Sequence, residues 1–310
     1  MKSSSVFSPH SSFAWSIYHL NVFVLIAMGV ILLLVSGLVL YASWRFRAIG
    51  GEGTPKPNFG NLRLELMYTI LPAMLLAAIM VFTVRTMQSS DPPQGAHPDD
   101  VEVVGHQWWW EFRYPQAGFV TANEVHIPVD TPMLFGLGAA DVIHDFWVPE
   151  LGRKEDMIPG THGRIWLAAD RANTYSGACA EFCGVEHAWM RIRVIAQSKQ
   201  EYASWLHQQQ QTPALPASGE AAAGLNLFQQ LSCANCHTIR GTGTSGTIGP
   251  DLTHLASRET LAAGRLNNTP DQLYLWLQQP DIYKPGSHMP NLHLTDMQLH
   301  SIVAYLETLR

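Results

Sequence analysis

Residues 179–190, CAEFCGVEHAWM, place four soft or borderline metal ligands within one short stretch. The ligands are Cys179, Cys183, His187 and Met190. Thiolate, imidazole and thioether donors together select copper over hard cations. A further histidine, His144, lies upstream in the segment DVIHDFWVPELG. Two thiolates at this spacing can bridge two metal ions while one histidine caps each ion, so the pattern points to a dinuclear copper site.

In this interpretation Cys179 and Cys183 are the bridges, and His144 and His187 are the terminal ligands. Met190 and the backbone carbonyl of Glu181 are weak axial ligands. Spacing alone leaves two other readings open for the cysteines, which could form a disulfide or, with His187, half of a zinc site. It also leaves His144 open as an ordinary core or surface histidine.

A second motif, CANCH at residues 233–237, has the C-x-x-C-H pattern of covalent haem attachment. Cys233 and Cys236 are the expected thioether links, and His237 is the expected proximal iron ligand. Such short motifs also occur by chance in zinc and redox sites. Here the flanking segments, including GPDL at 249–252 and KPGSHMP at 284–290, resemble class I cytochromes c.

We predict Met289 as the distal haem ligand, because that family places a Met-Pro pair just before its last helix. A histidine–methionine pair raises the haem potential, which suits electron delivery to copper. Three residues compete with Met289. Met297 is expected on the apolar face of the last helix, and His288 and His293 are expected at the surface.

Two long apolar stretches, at about residues 17–44 and 66–87, are each long enough to cross a bilayer. The first is too long for a signal peptide, and arginines follow it instead of a cleavage site. The connection between them carries three arginines and one lysine. The positive-inside rule therefore places this connection in the cytoplasm and the rest of the chain on the opposite side.

The composition agrees with a membrane-anchored chain that has two cofactor sites. Charged residues make up 14% of the sequence, against about 25% in ordinary soluble proteins. All four cysteines fall in two close pairs, unlike scattered structural disulfides. The formal net charge is −6 and the sequence has no basic cluster, so nucleic acid is not an expected partner.

Changes in sequence character divide the chain into four parts. Residues 1–96 contain the N-terminal segment and the transmembrane hairpin. Residues 97–211 contain short β-rich runs separated by proline and glycine, which predict an antiparallel sandwich or barrel that ends in a short helix. Residues 212–219, TPALPASG, are the predicted linker, and residues 220–310 are mainly helical.

The segment 179–190 with its upstream histidine closely resembles the CuA loop of cytochrome c oxidase subunit II. GHQWWWEF (105–112), the long segment 141–160 and ELMYTILPA (65–73) match the same family, and the resemblance covers roughly residues 15–210. It implies a cupredoxin-like barrel with a dinuclear copper centre. The expected fold is therefore multidomain: a two-helix transmembrane hairpin, an all-β cupredoxin-like barrel and an all-α class I cytochrome c domain, as in caa3-type oxidases.

The resemblance also assigns roles to single residues. It implies that Trp108 is the aromatic residue at which electrons enter, although Trp108 could instead fill the barrel core. Trp109 stands where the family often has tyrosine. The Glu181 carboxylate is expected to help hold a magnesium ion at the junction with subunit I. Glu65 matches a carboxylate at the mouth of a proton channel, and an ordinary solvated glutamate fits its position equally well.

The implied function is electron relay within a proton-translocating terminal oxidase. A soluble cytochrome c or similar donor reduces the haem, and the electron passes to CuA and then to subunit I, where oxygen is reduced. The expected partners are subunits I and III, the soluble donor and membrane lipid. The expected location is the bacterial inner membrane, with both cofactor domains on the periplasmic side.

Three other functions compete with this one. A free-standing membrane-tethered electron carrier needs only the cofactors, but the hairpin matches an oxidase-docking segment. Nitrous oxide reductase shares the copper motif, but it needs a large propeller domain for which this chain has no room. A quinol oxidase subunit is disfavoured by the intact ligand set and by the haem domain.

Overall fold

The computed structural model describes residues 4–47, 57, 59–91 and 98–310. These residues form two units. The first unit is Trp15–Ser90, and the second joins the segment up to Ala14 with Asp91–Arg310. Lys56 and residues 92–97, on which parts of the predicted loop and connector fall, lie outside the described residues.

Two long helices account for the first unit. Helix α1 spans Ser12–Arg45 and helix α2 spans Leu62–Ser90, with lengths of 34 and 29 residues. Both exceed the roughly 20 residues that a bilayer crossing needs. Their apolar side chains point outward around most of the circumference, and the most apolar part of each helix is not buried by protein. A helix that is apolar all round and uncovered by protein suits lipid, so both predicted spans agree with the structure.

The second unit begins with a β-sandwich of two five-stranded sheets. Their strand orders are β3-β2-β1-β5-β8 and β4-β10-β9-β6-β7. The strands are β1 (Val101–His106), β2 (Trp109–Tyr114), β3 (Phe119–Ala122), β4 (Glu124–Pro128), β5 (Met133–Ala139), β6 (His144–Trp147), β7 (Glu155–Met157), β8 (Gly163–Leu167), β9 (Asn173–Cys179) and β10 (Arg191–Gln197).

The prediction of a purely antiparallel sandwich was wrong for two strand pairs. Strand β1 pairs with β5 in parallel, and β4 pairs with β10 in parallel. Each of these pairs joins strands that are distant in sequence, and the chain crosses between the sheets before it returns. Short apolar runs contain no information about such long-range pairing.

The barrel core is rich in aromatic side chains. Trp110 and Phe112 on β2 are fully buried, and the ring of Trp110 meets that of Phe146 at 5.7 Å in an edge-to-face contact. Helix α3 (Lys199–Gln210) covers one side of the barrel, where Trp205 stacks on His126 at 4.0 Å. This rigid core carries strands β6 and β9, which supply two of the predicted copper ligands.

The C-terminal part is helical, with one short two-stranded ribbon. Its elements are α4 (Gly219–Gln230), α5 (Cys233–Cys236), β11 (Thr260–Leu261), β12 (Leu266–Asn267), α6 (Pro270–Gln278), α7 (Pro280–Tyr283) and α8 (Asp296–Leu306). Helices α4 and α8 cross at Gly224, where a Cβ atom would lie 1.9 Å from the carbonyl oxygen of Ser301. Only glycine allows the two helices to approach this closely.

The helical part packs directly on the barrel. Glu124 on β4 is 2% exposed and accepts hydrogen bonds from the backbone amide of Glu259 and the hydroxyl of Thr260. Arg193 on β10 forms an ion pair with Glu259. Buried charges need such partners, so this junction is a specific interface rather than a chance contact.

Candidate copper and haem sites

The two cysteines of the first motif lie side by side in the second unit. Cys179 ends strand β9, and Cys183 lies in the loop that follows. Their sulfur atoms are 3.8 Å apart, and both residues are buried. This separation is well beyond the ~2.05 Å of a disulfide bond, so the structure does not support the disulfide alternative.

One histidine approaches each sulfur. The Nδ1 atom of His144 lies 3.9 Å from the sulfur of Cys179, and the Nδ1 atom of His187 lies 3.7 Å from that of Cys183. On its other side, Nε2 of His144 donates to the Asp141 carboxylate at 2.8 Å. That hydrogen bond fixes the ring orientation and leaves Nδ1 available as a ligand, as at many metal sites.

The two weak ligands predicted from the sequence are also close. The Met190 sulfur lies 3.8 Å from the sulfur of Cys183, and the Glu181 carbonyl oxygen lies 3.2 Å from the sulfur of Cys179. The Glu181 side chain is exposed at the surface. The structure therefore brings all the predicted copper donors together.

The charges of the thiol pair fit a metal site. The thiolate of Cys179 is stabilised first by Cys183 and then by His144, which together hold the pKa of Cys179 well below its usual range. The adjacent thiolate in turn raises the pKa of Cys183. Both sulfurs can therefore ionise together only beside positive charge, which bound metal ions provide. Two sulfurs, two imidazoles and a thioether suit copper.

The second motif lines a large cavity in the C-terminal part. Cys233, Cys236, His237 and Met289 all face it, and its volume is about 1320 Å³ including its open mouth. Most of the remaining lining is apolar, and Arg258 and Lys284 are its two cationic side chains. An apolar cavity with a few convergent polar groups suits a large flat cofactor such as haem.

His237 is oriented as an iron ligand would be. Its Nδ1 atom donates to the carbonyl oxygen of Pro250 at 2.7 Å, so Nε2 keeps its lone pair. Burial lowers the pKa of His237 and favours the neutral imidazole that metals bind. Gly249 lies against the ring, where a Cβ atom would come within 2.5 Å of Cε1. The ring is thereby held in one orientation.

The candidates for the distal haem ligand differ in their exposure and in whether they line the cavity. Met289 lines the cavity and is half-buried. Met297, expected on the packed face of the last helix, is instead 80% exposed, because it lies in the first turn of α8 on the outer side. His293 is exposed as expected. His288 also has an exposed side, but it lines the cavity as well.

Trp108 lies between the copper donors and the haem cavity. Its indole N–H donates to the Cys183 carbonyl oxygen at 2.9 Å, and the residue also lines the cavity that contains Met289. The residue is only 8% exposed. Gly184 makes room for it, since a Cβ atom there would lie 2.8 Å from the indole. Trp108 is thus both a barrel core residue and an interface residue.

Family models match three consecutive parts of the chain. They are the transmembrane domain of cytochrome c oxidase subunit II at residues 6–86, its periplasmic domain at 117–197, and cytochrome c at 221–310. Cytochrome c oxidase subunit 2 of Alkalihalophilus pseudofirmus is 34% identical over 302 residues, which cover 95% of this chain and 87% of that protein.

The chain belongs to the cytochrome c oxidase subunit 2 family. The subunit 2 of Bacillus subtilis is 30% identical and covers 99% of this chain and 92% of its own length. A crystal structure of the periplasmic domain of subunit II from Bradyrhizobium japonicum is 30% identical, with a TM-score of 0.35, and covers 37% of this chain and 96% of that one.

Membership of the cytochrome c oxidase subunit 2 family confirms several predictions. The expected family, with a fused cytochrome c domain of the caa3 type, is confirmed, as is the three-part fold class. The chain is a two-pass membrane-anchored subunit with periplasmic domains, and it serves electron transport in a proton-translocating oxidase together with subunit I. Its two cofactor domains imply a CuA centre and a haem.

The contact between Lys284 and Trp108 was not expected from the sequence. Its amine donates to the Trp108 carbonyl oxygen at 2.5 Å, and only 5% of the residue is exposed. The two residues are 176 positions apart, so no local pattern links them. In the KPGSHMP segment, the methionine followed by proline indicates a haem ligand. The lysine followed by proline, Lys284, has no pattern that would predict a contact with the barrel.

Proposed function

We propose that this chain is the electron-accepting subunit of its oxidase. Electrons from a soluble donor, such as a cytochrome c, pass through its haem and copper centres to subunit I, where oxygen is reduced to water with proton translocation. The position of Trp108 carries this proposal. Its indole bonds to the Cys183 carbonyl and also lines the cavity that contains Cys233 and His237.

The haem is held by residues of the cavity. Cys233 and Cys236 would form the thioether links, and Nε2 of His237 and the sulfur of Met289 would be the iron ligands. The Arg258 guanidinium faces the same cavity, and its Nε atom has no hydrogen-bond partner among the described residues. A cationic group in this position suits the carboxylate groups that haem carries.

The copper pair is held by the buried donor set. Cys179 and Cys183 would supply the thiolates, and His144 and His187 the imidazoles. Met190 and the Glu181 carbonyl would be weaker donors. The barrel fixes these side chains and excludes water, and Asp141 orients His144. A rigid, dry ligand set changes little when the charge of the centre changes, which favours rapid electron transfer.

Further roles follow from the same family membership. The exposed Glu181 carboxylate is free to help bind magnesium at the junction with subunit I. Glu65 lies in the first turn of α2 and is exposed, which suits a carboxylate at the mouth of a proton channel. Subunit III is a further partner, and the bacterial inner membrane is the location.

Cofactor analysis of the full chain tests this function. The complex purified from copper-replete cells should contain, beyond the cofactors of subunit I, a pair of copper ions for each covalently bound haem. The haem should stay on the polypeptide after acid–acetone extraction, because thioether bonds survive that treatment. Zinc in place of the copper pair, or a polypeptide that keeps no haem after extraction, would contradict the assignment. Purification without subunit I would favour a free-standing electron carrier instead.

Replacing the distal ligand tests Met289. Met289→His should keep the haem low-spin but lower its potential, because imidazole favours ferric iron more than thioether does. The expected shift is on the order of 0.1 V, a fraction of the ~0.8 V that axial ligands span. Redox titration measures it. Met297→His, on the exposed face of α8, is the matched control and should leave the potential unchanged. An unchanged potential in Met289→His, with the methionine charge-transfer band intact, would exclude Met289.

A further inference from the structure

Lys284 is a buried cation that the proposed ligand sets do not use. It follows helix α7 in the haem domain and is 5% exposed. Burial lowers its pKa to about 8, although Glu186 acts in the opposite direction. Its amine reaches across the domain junction to the Trp108 carbonyl oxygen. Lysine is almost never buried without a partner, so this hydrogen bond is the feature that accounts for its position.

His288 makes the second contact with the same tryptophan. The imidazole centroid lies 5.1 Å from the Trp108 indole, with the ring planes inclined at 50°. This geometry is typical of attractive ring pairs. His288 is also bonded directly to Met289, the proposed distal ligand of the haem. The segment that carries the haem ligand therefore touches Trp108 with both a side-chain ring and an amine.

A continuous route joins the two sites through these contacts. It starts at Met289, follows the peptide bond to His288, and crosses to the Trp108 ring. From there the indole N–H donates to the carbonyl oxygen of Cys183, which also accepts from Gln107 at 2.7 Å. The route thus consists of covalent bonds, one ring contact and one hydrogen bond.

We propose that Lys284 and His288 are positioning residues that hold the haem domain on Trp108 and set the rate of haem-to-copper electron transfer. This inference rests on the proposed function. Lys284 fixes the backbone of Trp108, and His288 fixes the distance between its ring and the haem-ligand segment. Neither residue belongs to the proposed ligand sets.

Two variants of the intact oxidase complex test the inference. Lys284→Met keeps an apolar stem of similar length but removes the amine, and His288→Ala removes the ring. Losing a hydrogen bond to a charged group shifts the equilibrium between the positioned and displaced haem domain by roughly tenfold or more. We therefore expect haem-to-copper transfer to slow by about that factor in Lys284→Met. We expect a comparable fall in His288→Ala, and His288→Phe should restore the rate because it returns a ring.

Stopped-flow spectroscopy can follow the haem and copper bands separately. Reduction of the haem by external donor and the copper spectrum should stay unchanged in all three variants, which a general loss of structure would alter. Because Lys284 and His288 line the haem cavity, the haem potential is measured in each variant and the transfer rates are compared at equal driving force. His293→Asn is the matched control in the same segment, because His293 is exposed and asparagine tolerates its φ of 50°.

The possible outcomes are distinct. Wild-type transfer rates in both Lys284→Met and His288→Ala would overturn the inference and leave the proposed function intact. A failure of His288→Phe to restore the rate would overturn the role of the His288 ring. If the unmodified chain shows no haem-to-copper transfer at all, the proposed function is overturned and this inference with it.

Discussion

Cys183→Ser is expected to abolish the delocalised copper signal while the chain keeps its covalent haem. A serine hydroxyl does not ionise readily and is a poor bridge between copper ions, so the pair cannot form. Changes outside the ligand set already cost 10–100-fold at metal sites, so we expect oxidase activity to fall by more than about a hundredfold. Electron paramagnetic resonance and the haem absorption spectrum measure the two centres independently.

Cys236→Ser is the reciprocal variant. It removes one of the two haem links and should spare the copper signal, because the two proposed donor sets share no residue. Loss of both cofactors in either variant would contradict this independence. It would mean that the haem domain and the barrel need each other in order to fold, which the buried contacts of Glu124 make physically reasonable.

Trp108→Ala is the second substitution with a large expected effect. It should strongly slow electron transfer from haem to copper without changing how fast an external donor reduces the haem. It should also destabilise the barrel, because Trp108 belongs to the buried core, and removing a large buried aromatic side chain costs about 3–5 kcal/mol. Stopped-flow kinetics and thermal unfolding measure the two effects.

Trp108→Phe separates the two effects. Phenylalanine keeps most of the packing but has no N–H to donate to the Cys183 carbonyl, so stability should largely return while transfer stays slower than in the unmodified chain. Trp205→Phe is the control within the same barrel, since Trp205 stacks on His126 at 4.0 Å and is not among the residues that line the haem cavity. Normal transfer in both Trp108 variants would mean that Trp108 serves only packing and that electrons follow another route.

The closeness of the proposed copper donors could be predicted from sequence because most of them lie in one short segment with a fixed spacing. His144, on a different strand, was found through a motif of its own. The membrane spans could be predicted because length and apolarity alone decide them. The proposed haem ligands of the C-x-x-C-H motif are equally local. Apart from His144, the residues of each of these features lie close together in the sequence.

The rest depends on contacts between distant parts of the chain. The sequence left open whether Trp108 is an interface residue or a core residue. It is a core residue of the barrel that also lies at the interface, because the haem domain covers it. The parallel strand pairs and the bond from Lys284 to Trp108 are long-range contacts of the same kind. The prediction that Met297 lies on the packed face of the last helix was wrong, because an apolar residue in a helix is not always on that face.

The polar junction between barrel and haem domain limits how such chains can be recombined. Consider a cytochrome domain that is joined to a different copper domain through its linker alone. Its Glu259 would lack the ion pair with Arg193, and its Lys284 would lack the hydrogen bond to the Trp108 carbonyl. The buried amine would then lack its partner, and the graft would lose both its orientation and its contact with the barrel. A working chimera therefore has to exchange both sides of the junction together, as one inherited unit.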